Sequence, residues 1–433
     1  MQAGAVAGRS QRDQGGHRLP LPCRAFPCPR RRIAQGCHRH SHVQGQGVLK
    51  KHNVLNFITG LNIGGAEMML ARYARSLLPT AFNPQVLSLM APGAVAAQLV
   101  RDGISIRTLG MQQSRVGIAA VPRLRQTVFQ TNADLLHGWM YHGNLAASLG
   151  GLLDRRQPVV WSIHHSIDDI LMEKRLTRWL IHLLARLSRG VAAISYCSRV
   201  SAAQHEALGF DPSKRVIIPN GIDCEMFRPD QDARRILCRR FGIPSGRVVI
   251  GNVARAHPMK DHQAFVRTLA LLRDDGLDVH GIIIGAGHEN GQARQVAKAL
   301  NLSDRLTTPG PLDDIPQLLP GLDAFLLSSA WGEAFPLSAA EAMACGVPVV
   351  ATDVGDCGWL VGDGDLVTAP RDPLGQAMAL RRILMLEPDD RRQLGLAGRR
   401  RVMDNFSLQT YTARHLDIYE AAMAGRKAEA NMS

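Results

Sequence analysis

The stretch that most constrains this chain is residues 328–351, SSAWGEAFPLSAAEAMACGVPVVA. A short apolar run, DAFLL at 323–327, leads into it and predicts a strand. A loop at Trp331-Gly332 follows, then a helix over 339–344, where the residue types favour helix. Ser338 is the expected N-cap, Glu341 three residues later completes a capping box, and Gly346 closes the helix. Residues 347–351 then read as a buried-type strand. This order puts Glu333 in a loop at the carboxyl end of one strand and Glu341 in the first turn of a helix. In open α/β sheets that edge is where ligands bind. Taken singly, Glu341 is more simply a cap and Glu333 a solvated loop acid.

Seven residues separate the two glutamates. In this setting the segment resembles the E-x7-E signature of the retaining nucleotide-sugar glycosyltransferases with two Rossmann-like domains, the GT-B architecture (glycosyltransferase family 4-like and group 1 enzymes). The resemblance implies that Glu333 faces the donor sugar and Glu341 binds the ribose hydroxyls. It also implies that the backbone of Ala334, Phe335, Pro336 and Leu337 binds the diphosphate, a task suited to a helix N-terminus.

Upstream, strand and helix patterns alternate, which argues for α/β architecture with parallel sheets. A buried-type strand at 53–59 runs into a glycine loop with Gly64-Gly65-Ala66-Glu67 and a helical pattern to about Leu78. The spacing is not G-x-G-x-x-G, so a dinucleotide fingerprint is not supported. The GGAE form is similar to the family's first loop, which implies that Gly64 and Gly65 reach the donor diphosphate. After a strand at 134–137 comes HGWMYHGN, where many relatives carry His-x-His facing sugar and acceptor. Here Trp139 holds the second position, and His142 is the nearest alternative imidazole. The strand at 159–163 ends in His164-His165, making His165 the other candidate. Lone histidines are more often structural, yet imidazole can orient hydroxyls or take a proton near neutral pH.

Residues 174–189, KRLTRWLIHLLARLSR, are amphipathic and rich in arginine. A helix packed on the sheet accounts for them, and so does a basic helix seated on an anionic membrane. PNGID at 219–223 resembles the interdomain signature of the same family and places the domain change near Pro212. A core strand at 247–253 then delivers Arg255 and Lys260, with four residues between them. Guanidinium can chelate two phosphate oxygens and ammonium adds a point charge, which suits a departing diphosphate. The pair resembles the family's R-x4-K. Asp363-Gly364-Asp365 superficially matches the D-x-D of metal-dependent sugar transferases, but between short strands at 360–361 and 366–367 it reads as a turn. Residues 408–422 form a last helical pattern, expected to cross back to the first domain as in relatives.

Composition matters for one question, the formal charge of +14. Residues 1–51 carry eight Arg and two Lys against one Asp, leaving +5 for the rest. A tail with no apolar periodicity cannot offset its ordering entropy, so 1–47 is expected to be a disordered basic tail. A start codon assigned too far upstream is the favoured account of its origin. Its cysteines and histidines fit no zinc spacing, and specific nucleic-acid binding is not indicated. No apolar run reaches the roughly 18 residues of a membrane span. Cys197, Cys224, Cys238, Cys345 and Cys357 are scattered singly, as reduced thiols of a cytoplasmic protein would be.

The expectation is two Rossmann-like domains facing each other across a cleft. Residues 48–211 form the acceptor domain, 212–405 the donor domain, and 406–433 the returning helix. The resemblance implies a metal-independent, retaining transfer of a hexosyl group from a nucleoside diphosphate donor, with no cofactor. The expected acceptor is a glycan or lipid-linked glycan of bacterial surface polysaccharide synthesis, met by an enzyme peripheral to the inner face of the membrane. A nucleotide-sugar 2-epimerase of the same architecture and a catalytically silent binding protein are the alternatives. Donor hydrolysis or product formation separates the three.

Overall fold

Strand β1, His52–Ile58, alternates between two cores. Val54 and Ile58 enter one apolar cluster, Leu55 and Phe57 the opposite one, and all four are essentially inaccessible to water. A strand buried on both faces has helices on both sides of its sheet, which is why its sequence reads as one apolar run. The computed structural model describes residues 51–62, 64–111, 120–154, 157–289 and 291–432, with side-chain surroundings through 425. The tail expected over 1–47 lies outside the described residues.

The first sheet continues with β2 (Phe82–Met90), β3 (Ser105–Met111), β4 (Leu135–Trp139), β5 (Val159–Ile163), β6 (Ala193–Tyr196) and β7 (Arg215–Ile217). Its seven strands run parallel in the order β3-β2-β1-β4-β5-β6-β7. The second sheet contains β8 (Val248–Val253), β9 (Val279–Ile284), β10 (Leu306–Gly310), β11 (Ala324–Leu327), β12 (Val349–Thr352) and β13 (Val367–Thr368). Its six strands are also parallel, ordered β10-β9-β8-β11-β12-β13. In each sheet the strand order reverses once, between β1 and β4 and between β8 and β11. The loops leaving those four strands flank a switch point, where doubly wound sheets bind ligands.

Two expectations need correction here. Residues 212–217 were assigned to the second domain, but β7 pairs with β6 and extends the first sheet through Ile217. The chain crosses after it. Residues 360–361, read as strand, belong to the helix Cys357–Val361, and Asp363 accepts from the Asp365 N–H in the turn that follows.

The two crossings between sheets lie side by side. The Ile222 N–H donates to the Phe406 carbonyl, and the Leu408 N–H donates to the Ile222 carbonyl, both at 2.8 Å. A side chain at Gly221 would meet Tyr411 Cβ at 2.7 Å, so the close approach needs glycine. The final helix, Leu408–Met432, then places Tyr411, Ile418 and Tyr419 in the core around Leu70 and Tyr73 of the first sheet's domain. The Tyr419 hydroxyl bonds His137 Nδ1 at 2.6 Å, fastening that return.

Candidate functional site

The loops after β8 and β11 meet at the second sheet's switch point. Beyond β8 the chain makes one turn of 3-10 helix, Pro258–Lys260, and Asp261 then caps the helix His262–Asp274 through the Ala264 N–H. This fixes Lys260 at a corner. Its Nζ bonds Glu333 Oε1 at 2.5 Å, and the Ser329 hydroxyl donates to the same oxygen. Glu333 is only 6% exposed, and a buried carboxylate is costly unless paired and hydrogen-bonded. Lys260 and Ser329 meet both conditions. Arg255, five residues before Lys260, is exposed and has no ion-pair partner among the described residues. The two cations therefore differ in kind, one engaged and one free.

Gly355 holds the glutamate loop from behind. Its φ is +59°, and a side chain there would sit 1.9 Å from the Glu333 carbonyl oxygen. Past Glu333, the helix Leu337–Ala344 starts behind Pro336, which provides no side-chain cap. The N–H groups of Leu337, Ser338 and Ala339 precede the first intrahelical bond and point out of the helix end. Pro336 has no N–H, so of the four residues expected to face the diphosphate it cannot donate. Ala334 and Phe335 are buried, with the Phe335 ring 5.4 Å from that of Phe406. The expected capping box is absent. Ser338 lies inside the helix, and Glu341 is drawn elsewhere.

Glu341 turns to the other domain. Both terminal nitrogens of Arg72, on the helix Gly65–Leu77, donate to Glu341 Oε1 at 3.0 Å. Burial raises the pKa of the Glu341 carboxyl, and the Arg72 charge and hydrogen bonds oppose it. The Arg72 helix begins at the first sheet's switch point. Gly64 is its N-cap, and the Glu67 carboxylate fills the space where a Gly64 side chain would stand. A side chain on Gly65 would meet nothing within 4 Å, so Gly65 borders open space.

Two further carboxylates bridge the halves. Asp168, in the loop after β5, accepts the Gly332 N–H at 2.8 Å, next to Glu333. Asp356, beside Gly355, accepts the N–H groups of Arg199 and Val200 at 2.7 and 3.1 Å, at the start of the helix Arg199–Ala207. There it complements the helix dipole. Burial raises the Asp356 pKa, against the pull of those two N–H bonds. The Arg199 guanidinium lies 4.1 Å from the centre of the Trp359 ring, adding a cation–π contact at the same junction.

The histidines divide. His142 is exposed on the helix Met140–Asp154 and has no hydrogen-bond partner among the described residues, and its desolvation lowers its pKa. His165 Nε2 bonds Glu173 at 2.9 Å, so this imidazole is tied to a neighbouring loop. Trp139, at the position where relatives carry the second histidine, is in β4 and fully buried. It donates to Asn56 and stacks on His164, their rings 5.1 Å apart and within 4° of parallel. Burial lowers the His164 pKa to about 4. Its Nδ1 bonds Asn220 of PNGID at 2.8 Å, while its Nε2 is buried without a partner among the described residues.

The structure thus joins Lys260, Ser329 and Glu333, and pairs Glu341 with Arg72. Sequence reading passed over Arg72, Asp168 and Ser329. Only Ser329 sits near enough in sequence to have been found, four residues from Glu333. Among the described residues no three His, Cys, Asp or Glu side chains converge as a metal-ligand set. An open pocket of about 610 Å³ lies behind the same loops, lined by His257, Asp261, Arg267, His288, Trp331 and Arg371. It takes in neither Lys260 nor either glutamate.

Two parallel, doubly wound sheets joined by paired crossings, with loops of both at their switch points, define the GT-B class. Residues 63–226 match the family model for Glycosyltransferase Family 4, and residues 234–401 that for Glycosyl transferases group 1. The chain belongs to this family of GT-B glycosyltransferases. It is 34% identical over 233 residues to a D-inositol 3-phosphate glycosyltransferase of Salinispora tropica, a match covering 49% of this chain and 47% of that protein. The chain thus spans about half the length of that relative. It is 27% identical to the 2-deoxystreptamine N-acetyl-D-glucosaminyltransferase of Streptomyces fradiae, over 74% of this chain and 81% of that one. The fold is similar to crystalline HepE of Anabaena in complex with UDP and glucose. That TM-score is 0.73 at 21% identity, covering 86% of this chain and 100% of the other.

Proposed function

We propose that this protein transfers a hexosyl group from a nucleoside diphosphate donor to an acceptor hydroxyl, with retention of configuration and without a metal. The observation that carries this reading is the group at the second switch point. A buried Glu333 held by Lys260, an exposed Arg255 and an uncapped helix start at Leu337 all lie on the two segments that leave β8 and β11. Anionic phosphates suit such a helix start, and the two cations add charge that gains strength as the diphosphate departs.

In this reading Arg255, Lys260 and the N–H groups from Leu337 onward hold the diphosphate, with Gly65 approaching from the other domain. Glu341 takes the ribose hydroxyls through the oxygen that Arg72 leaves free. Glu333 orients the sugar rather than attacking it, because Lys260 and Ser329 already hold its Oε1. The acceptor oxygen forms its bond to the anomeric carbon on the face from which the diphosphate leaves. The departing phosphate oxygen keeps the electrons of the broken bond and takes the acceptor's proton. His142 and His165 serve acceptor orientation. Contacts between the halves exclude water, the competing acceptor.

The acceptor is a lipid-linked glycan met at the cytoplasmic face of a membrane. The test is incubation with UDP-, GDP-, ADP- and TDP-sugars, with and without a lipid-linked acceptor, in EDTA. A product whose anomeric configuration by NMR equals the donor's supports the reading. An inverted product, or epimerised donor in the absence of acceptor, contradicts it.

A further inference from the structure

The segment that leaves β5 carries an apolar surface left uncovered by the described residues. Leu171 and Met172, in the 3-10 turn Ile170–Met172, are 70% and 85% exposed. Leu176 and Trp179, on the helix Arg175–Leu187 that follows, are 64% and 61% exposed. The same helix buries Leu180, Ile181 and Leu184 against Trp161 and Ile163 of the sheet. The packed-helix reading of this amphipathic stretch therefore holds for one face only. One face packs on the domain, and a second, with Leu176 and Trp179 three residues apart, faces water.

The charges around the patch are asymmetric. Lys174, Arg175, Arg178 and Arg186 surround it, and none has an ion-pair partner among the described residues. The acids nearby are all engaged. Asp169 caps the 3-10 turn through the Leu171 N–H, Glu173 holds His165, and Asp168 accepts from Gln204 and Gly332. What remains is an apolar ridge in a ring of unpaired cations. Tryptophan and long cationic chains at such a boundary fit a bilayer surface, ring in the acyl region and charges at the headgroups.

We propose that Leu171, Met172, Leu176 and Trp179 insert into an anionic bilayer, with Lys174, Arg175, Arg178 and Arg186 on its headgroups. The inference rests on the lipid-linked acceptor proposed above and adds where the lipid is met. The loop is short: Asp168 touches the glutamate loop at Gly332, and Leu171 follows three residues later. A membrane at this ridge therefore lies beside the acceptor side of the site.

The test uses the full chain and sucrose-loaded vesicles of phosphatidylcholine, with or without phosphatidylglycerol. The wild-type protein is expected to sediment with the anionic vesicles and far less with the neutral ones. The double variant M172Q/W179Q is expected to lose roughly tenfold in vesicle affinity, since two large apolar side chains no longer enter the bilayer. Both residues are exposed, so its melting temperature should match wild type. Residues 1–51 are the same in both proteins. If the variant binds like wild type, the attraction belongs to the basic tail and the proposal falls. Absence of binding to anionic vesicles also overturns it. Donor-induced thermal stabilisation, measured on the same samples, is independent of the ridge. Failed vesicle binding with an intact donor response removes this surface alone, and the reverse removes the transferase reading alone.

Discussion

Arg72 and Glu341 are 269 residues apart, yet both terminal nitrogens of the arginine donate to one oxygen of that carboxylate. The pair joins two helices that each begin at a switch point, one at Gly65 and the other at Leu337. Any group lying between those helix starts is bordered by both domains, and Arg72 holds that separation.

Removing Arg72 leaves a largely buried carboxylate without its counter-charge. Arg72→Ala should lower stability by about 3 kcal/mol near neutral pH. The sign of its pH dependence follows from Glu341. Burial raises its folded pKa, so folding is favoured by this group at low pH and that advantage is lost as pH rises through the folded value. Without Arg72 the pKa rises further, so the variant's deficit should be larger at pH 7.5 than at pH 4.5. Chemical denaturation at both values measures it. An equal deficit would mean that the guanidinium acts by packing alone.

Arg255 and Lys260 should separate cleanly. Arg255→Ala removes an exposed, unpaired cation, so the ligand-free melting temperature should hold while donor affinity falls roughly 10- to 100-fold. Lys260→Ala strips Glu333 of its counter-ion, so stability and turnover should fall together, with a rate loss of roughly 10²–10³. Melting curves beside steady-state kinetics test the contrast. Equal effects of the two variants on the ligand-free protein would refute the division of roles.

Asp356 caps a helix of the other domain. Asp356→Ala should cost about 1 kcal/mol, the scale of a lost N-cap. Asp356→Asn keeps an acceptor and should restore most of it. Donor affinity should change little in either variant. The readouts are thermal melts and donor titrations, and a donor affinity that collapses in Asp356→Asn would put this residue in the site itself.

Much of the architecture was legible locally. The largely apolar run VVWSI, between Pro158 and His164, gave β5 to the residue, because a strand covered on both faces is mostly apolar. The switch-point loops were legible for the same reason, since glycines and charges interrupt those strings. What depends on distant partners was not. Ser338 and Glu341 have capping-box spacing, but Arg72 outcompetes the box for the carboxylate, and no local pattern contains Arg72. Trp139 follows a strand signal that ends at His137 by composition, yet β4 runs on because its indole finds Asn56 and His164 in the core. The domain change was placed one short strand early because Arg215–Ile217 is only three residues long and joins a sheet edge.

The most direct measurement is the donor-dependent thermal shift of the wild-type protein beside Arg255→Ala and Glu341→Ala, in EDTA, against UDP-, GDP-, ADP- and TDP-sugars. The account predicts stabilisation by one nucleotide class, sharply reduced in both variants. No shift with any donor, or an undiminished shift in both variants, would contradict a nucleotide-sugar site built on these residues.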